Sequence, residues 1–288
     1  MQTRFRQGVG GGRGWTFSRK VDVFQLGAAV KPSILNERKQ EKLFHLLKTL
    51  DDLGYSYLVL DSEKSVDDLS ISDYDMILRW CRELFHCKPI LTIPVRRGDF
   101  ADRFKELLEV VSQHGVGGVC LVAGNPAYLK EDELRVKPGK PILEASADFR
   151  AVAGKLPLMV GSENLFKTAA KASKLYRATP LVLMNPSLYQ ELKLYEGDGV
   201  QKGVYAPFHI AETMDGEVKE KLQAYVSRRR ASMVFLDAVE AFSMTGGLYK
   251  IRQKVSRMSE SGVDVLVGYP LDLCREQLSK FAKVLSTL

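Results

Sequence analysis

Only four of the 288 residues are cysteine and four are histidine, and neither type is grouped. Cys81, Cys87, Cys120 and Cys274 form no C-x-x-C pair, and His45, His86, His114 and His209 are scattered, which argues against a structural zinc site. No H-x-H pair is present, so a metal-dependent barrel hydrolase is excluded, and no G-x-S-x-G elbow marks a serine hydrolase. The glycine-rich GVGGGRG near the start precedes every strand pattern and misses the G-x-G-x-x-G spacing of a dinucleotide fold. Without a charged-then-apolar leader or an apolar run of membrane-spanning length, the expectation is a cytoplasmic protein with free thiols and no membrane partner.

What is present suits a large buried core: 45% of residues are hydrophobic and 27% charged. The net charge of +7 is unevenly spread. Arg4, Arg6, Arg13, Arg19 and Lys20 give the first 20 residues +5 with no acid, leaving +2 for the remainder. Residues 1–20 therefore read as a basic, glycine-rich, unstructured tail, and 21–288 as one folded domain. Contact with nucleic acid, if any, falls to the tail and its Phe5, Trp15 and Phe17.

Short apolar, β-branched runs recur at 21–30, 57–61, 89–95, 118–124, 157–161, 181–185, 203–211 and 263–268. Helical periods lie between them, as in Leu43, Leu46, Leu47 and Leu50, or Phe100, Phe104, Leu107, Leu108 and Val111. Gly54 closes the first helix, and Asp99 and Ser162 are placed to cap two others. Eight strands alternating with helices predict a (β/α)8 TIM barrel of the α/β class. Two connections are long. A charged stretch from Lys130 to Lys140 follows the fourth strand, as a lid or a solvated loop. Residues 212–262, between strands seven and eight, require extra helices: a charged one through Arg228, Arg229 and Arg230, an apolar one through Val234 to Phe242, a Gly246-Gly247 break and a polar one.

Barrel chemistry gathers at the C-terminal strand ends. That rule sets His86, Cys87 and His114 on the opposite, stability face and His45 within a helix. It selects Gln25, Asp61, Ser62, Arg96, Arg97, Asn125, Ser162, Asn185, His209 and Tyr269. No strand run carries a lysine in its body, which argues against a Schiff-base aldolase. Such a polar, weakly charged mouth suits a cofactor that brings its own reactivity. Alternation on strand seven turns Tyr205, Pro207 and His209 inward. His209 then serves as a proton donor, or is a rim histidine with its bonds satisfied. Arg96 and Arg97 neutralise a phosphate or carboxylate, or stay solvated, and the Gly161-Ser162 turn offers helix N-terminal amides.

The stretches KLFHLLKTLDDLGYSYLVLDS, GVYAPFHIA and GVDVLVGYPLDLCREQLSKFAKVL resemble the luciferase-like flavin- and deazaflavin-dependent oxidoreductases, nearest to methylenetetrahydromethanopterin reductases, over roughly 21–288. The stretch from Pro89 to Pro126, ending in Gly124-Asn125-Pro126, is similar to methylenetetrahydrofolate reductases. Both likenesses imply a barrel that binds a deazaflavin of the F-420 type, or FMN or FAD, without a metal, and moves a hydride to or from a one-carbon-carrying pterin. They imply Gln25, Asp61 and His209 at the reacting carbon, Arg96, Gly124, Asn125, Gly161, Ser162 and Asn185 against the cofactor, and, with the apolar inserted helix, a homodimer. The sequence departs from the pattern in two places. Gln25 stands where both families place a first-strand Glu, and Ser62 replaces the His beside the strand-two Asp. An amide cannot deliver the proton of a carboxylic acid, so the rival expectation is a catalytically degenerate barrel that acts in binding or assembly. A phosphate-binding lyase or isomerase barrel is a third.

Overall fold

The computed structural model describes residues 24–35, 39–62, 64, 68–163, 165–195, 201–227 and 234–285. The basic tail and Arg228, Arg229 and Arg230 lie outside the described residues.

Strands β1 (Gln25–Val30), β2 (Tyr57–Leu60), β3 (Lys88–Pro94), β4 (Gly118–Val122), β5 (Leu158–Gly161), β6 (Thr179–Leu183) and β7 (Gly203–Ile210) pair in sequence order, all parallel. β8 (Met244–Gly246) is an addition, and β9 (Val265–Pro270) joins β7 to β1 and closes the barrel. Followed once round, the register returns to β1 eight residues lower, the stagger of a TIM barrel. The fold is therefore the expected (β/α)8 barrel, with its insertion between β7 and β9.

These runs are apolar throughout because each strand is covered on both faces. Outward-facing Leu26, Ala28, Val30, Leu58 and Leu60 pack against the helices, while Ala29, Tyr57, Val59, Ile90, Cys120, Met159, Leu181, Val265 and Val267 fill the interior. The helix faces follow the 3.6 period: α1 (Lys39–Asp52) buries Leu43, Leu46, Leu47 and Leu50, and α3 (Phe100–His114) buries Phe104, Leu107 and Val111. Gly115 ends α3 in the left-handed conformation, which a side chain resists. α2 (Ile71–Glu83) opens with a reciprocal Ser70–Asp73 capping box. No helix among the described residues is long and apolar enough to cross a membrane.

Several local expectations change. Asp99 makes no cap bond, because its carboxylate accepts from Arg97 instead. Ser162 is not a cap either: α6 (Phe166–Tyr176) starts behind Leu165. The charged stretch after β4 forms a short helix, α4 (Glu131–Leu134), and then α5 (Gly139–Ala153). α7 (Leu188–Lys193) follows β6. In the insertion, α8 (Gly216–Ser227) and α9 (Phe235–Phe242) pack together through Val218, Leu222, Val226, Ala238, Val239 and Phe242, with Leu271 and the half-buried Tyr269 beside them. α10 (Leu248–Glu260) and α11 (Arg275–Leu285) complete the shell.

The short β8 was not legible beforehand, and its place follows from backbone alternation on β7. On one edge Tyr205 O accepts from Met184 N at 2.8 Å, and higher up Ala211 N donates to Gly246 O at 3.1 Å. β8 thus takes over from β6 along the same edge, above the barrel. On the other edge β9 ends early, and the buried Gln277 side chain of α11 bonds both Ile210 N (2.8 Å) and Ile210 O (3.3 Å).

Candidate functional site

With a stagger of eight, inward residues of alternate strands share one level. The register sets Ala29, Thr92, Gly161 and Tyr205 at one level and Asp61, Val122, Leu183 and Tyr269 at the next, toward the C-terminal end. Three small side chains around Tyr205 leave room for its ring to cross the barrel. A Cβ on Gly161 would stand 3.0 Å from Val122 Cγ1, so this wall is already tight. The Tyr205 hydroxyl donates to Asp61 Oδ2 at 3.2 Å, joining β7 to β2 across the axis. Its ring lies near parallel to Tyr269, with centroids 6.5 Å apart. Together they form an aromatic floor with a carboxylate at its edge. Below it, burial and then the Asp61 charge push the Cys120 thiol up to about 12, so this cysteine is packing rather than nucleophile.

His209 stands four residues beyond Tyr205 on the same inward side, opposite Thr245 of β8 in the register. It is 6% exposed, and its Nδ1 is buried without a hydrogen-bond partner. A buried polar atom left unpaired costs about 1–3 kcal/mol, so the atom is poised for a ligand that supplies the bond.

The remaining candidates divide. Gln25 is not at the mouth: it is the first residue of β1, paired with Val265 at the start of β9, and accepts from Tyr57 OH at 2.6 Å. With Asp51, Tyr55, His86 and Lys88 it lines a 440 Å³ cavity at the N-terminal end. His86 lies at that end, as the strand rule expected. His114, at the C-terminus of α3, bonds Asp75 of α2 at 2.7 Å. Arg97 is not available for an anion either. Asp68 Oδ2 (2.7 Å) and Asp99 neutralise it and hold its pKa above the usual arginine range, mainly through the Asp68 bond. Arg96 Nε and Nη2 donate to Ala123 O and Gly124 O at 2.8 Å each, which fixes the fork and leaves its other N–H groups. Gly124, at positive φ, lets the chain turn against Pro94 and Leu129. Asn125 Oδ1 accepts from Ala127 N at 3.0 Å. Asn185 is committed on both sides, donating to Leu183 O and Glu191 Oε1 and accepting from Ser187 N. Ser162 N donates to Leu181 O, so the Gly161-Ser162 turn has no helix N-terminal amide to offer. The buried Ser162 Oγ has no hydrogen-bond partner among the described residues, and neither has the buried hydroxyl of Tyr195, two residues past α7. Ser62 is fully buried.

Lys31 escaped the sequence reading. Asp61 N donates to Val30 O, continuing the β1–β2 ladder one step past both strands, so Lys31 stands beside Asp61 on the inward side. The signal was present as an alternation through Gly27 and Ala29, but it needs the register to be read.

No protein-family model matches the sequence, and neither does any curated protein. Solved structures do match over almost the whole chain. The F420-dependent tetrahydromethanopterin reductase of Methanopyrus kandleri superposes with TM-score 0.67 at 15% identity, covering 92% of this chain and 99% of that one. The chain shares the (β/α)8 barrel fold with these structures. An F420-dependent secondary alcohol dehydrogenase, bound to an F420–acetone adduct, gives 0.63 at 11% identity over 92% and 98% of the two chains. The FMN-bound oxygenating component of 3,6-diketocamphane monooxygenase from Pseudomonas putida gives 0.62, at 11% identity and the same coverage.

A flavin-type ring asks for a flat apolar face and hydrogen-bonding groups along one edge. In this barrel the Tyr205–Tyr269 floor, the Asp61 carboxylate and the orphaned His209 Nδ1 answer that description. Among the described residues, no group of three or more His, Cys, Asp or Glu is placed to hold a metal ion.

Proposed function

We propose that this barrel is an oxidoreductase that binds a deazaflavin of the F420 type, or FMN or FAD, over the Tyr205–Tyr269 floor and acts on a one-carbon-carrying pterin. The reading is carried by the Asp61–Tyr205 pair at the C-terminal end, with His209 four residues further along β7 and its Nδ1 buried and unpaired. The likeness to F420- and FMN-dependent barrels supports it. The bound ring would supply the hydride chemistry. The chain's own part is positional and protic. Asp61 holds the Tyr205 hydroxyl, His209 gives or takes a proton at Nδ1, and Arg96 faces the anionic portion of a ligand. The α8–α9 cluster beside Tyr269 shields that side from water.

Titration of the purified protein with FMN, F420 and tetrahydropterins, followed by cofactor fluorescence, tests this. Saturable changes with one cofactor and one pterin support it; no change with any of them removes it. The degenerate-barrel reading has its own support, since Asn125 and Asn185 are spent on local structure. It predicts cofactor binding without any oxidation of the reduced form.

A further inference from the structure

Charge is not evenly distributed around the mouth. On one side Lys31 follows β1, half-buried beside Asp61, and Arg96 lies two residues past β3, on the inward alternation of Ile90, Thr92 and Pro94. Arg96 is fixed by two neutral carbonyls and keeps its charge, whereas Arg97 is cancelled by Asp68 and Asp99. In strand order Asp61 thus lies between Lys31 and Arg96. On the far side Glu163 follows β5 and Glu191 reaches Asn185 above β6 at 3.1 Å. Burial first, and then the Glu163 charge, raise the Glu191 pKa, as expected where two acids share a wall. The β1–β3 side therefore carries Lys31 and Arg96 with Asp61 between them in strand order, beside a neutralised Arg97, whereas the β5–β6 side carries Glu163 and Glu191.

We infer that Lys31 and Arg96, flanking Asp61, together hold the anionic group of the ligand, a carboxylate or a phosphate, and orient the ligand with that group toward β1–β3. The inference rests on the mouth being the ligand site and adds the class of ligand it selects. An anion placed there meets a guanidinium already oriented by Ala123 O and Gly124 O, so little freedom is lost when it binds. Turned the other way, it would face Glu163 and Glu191. The anion has two possible sources, the phosphate of the cofactor or the carboxylate of the substrate.

The test uses the full chain as wild type, Lys31→Gln, Lys31→Arg and Arg96→Gln. Pyrophosphate and malonate at fixed ionic strength serve as bare anions, with thermal midpoint as readout. Dissociation constants for FMN against riboflavin, and for folate against pteroate, report the two sources. The wild type should be raised in midpoint by an anion, Lys31→Arg should retain the rise, and both glutamine variants should lose it. An FMN preference over riboflavin of at least about tenfold that collapses in Lys31→Gln assigns the site to the cofactor phosphate; the same pattern for folate over pteroate assigns it to the substrate carboxylate. If the glutamine variants bind pyrophosphate, malonate, FMN and folate as tightly as wild type, the inference is overturned, while FMN binding itself would leave the oxidoreductase reading intact. If the anion effect depends on Lys31 and Arg96 yet no flavin or deazaflavin binds, the anion site stands and the oxidoreductase reading falls.

Discussion

At the N-terminal end of the barrel several polar side chains are spent on structure. Tyr57 is bonded to Gln25, Tyr55 to Leu278 O, Asp51 to the amides of His86 and Cys87, and Lys202 to Ser261 O. At the C-terminal end the inward residues leave bonding capacity open: His209 Nδ1 is buried without a partner, and Arg96 keeps N–H groups beyond the two it uses. The two ends share a scaffold and a composition. Both hold a buried histidine Nδ1 without a partner, but that of His114 lies between α2 and α3 in the helical shell, whereas His209 Nδ1, Ser162 Oγ and the remaining Arg96 N–H groups gather at the C-terminal strand ends, where a ligand belongs.

The comparison is broken most strongly by changing the mouth. Asp61→Ala or His209→Ala should lower turnover of a reduced flavin or deazaflavin by about 10²–10⁴-fold, read from cofactor absorbance, with a thermal midpoint close to wild type. The shell should behave in the opposite way. Phe281 of α11 stacks on Phe208 of β7 with centroids 4.2 Å apart, both fully buried. Phe281→Ala should cost about 3–5 kcal/mol in denaturant unfolding. Gln277→Leu removes the only side chain bonded to both Ile210 N and Ile210 O among the described residues, and should cost about 1–3 kcal/mol by the same measurement. Gln25→Ala, at the structural end, should change turnover by less than about twofold.

The smallest effect is a pH dependence at the α2–α3 contact. The hydrogen bond from His114, foremost, holds the Asp75 pKa below the usual carboxylate value. A depressed acid stabilises the fold above its unfolded pKa and loses that contribution as pH falls through the folded one. Acid unfolding of Asp75→Asn should therefore lack a component that the wild type loses below about pH 4, the ordinary carboxylate range.

Much of the frame was legible because strand and helix periods are local. The inward set Tyr205, Pro207 and His209 on β7 followed from alternation alone, and α9 from its run of apolar residues. What was not legible depends on partners distant in sequence. Gln25 looked like a strand-end residue because nothing in 21–30 marks where pairing begins; the register with Val265 decides it. Arg96 and Arg97 look equivalent in sequence, and Asp68, almost thirty residues away, joins the neighbouring Asp99 in making Arg97 a structural cation. Asn185 is a plausible ligand group by type, and its neighbours consume it. Lys31 looks like a loop residue before Pro32, and becomes a mouth residue once Asp61 is placed beside it.

The central claim is that function resides at the Asp61–Tyr205–His209 end. It is tested most directly by the dissociation constants of FMN and F420 for wild type, Asp61→Ala and Gln25→Ala, measured side by side. The account predicts that one cofactor binds, that Asp61→Ala weakens it by about tenfold or more, and that Gln25→Ala leaves it unchanged. Weakening by Gln25→Ala with no effect of Asp61→Ala would contradict it.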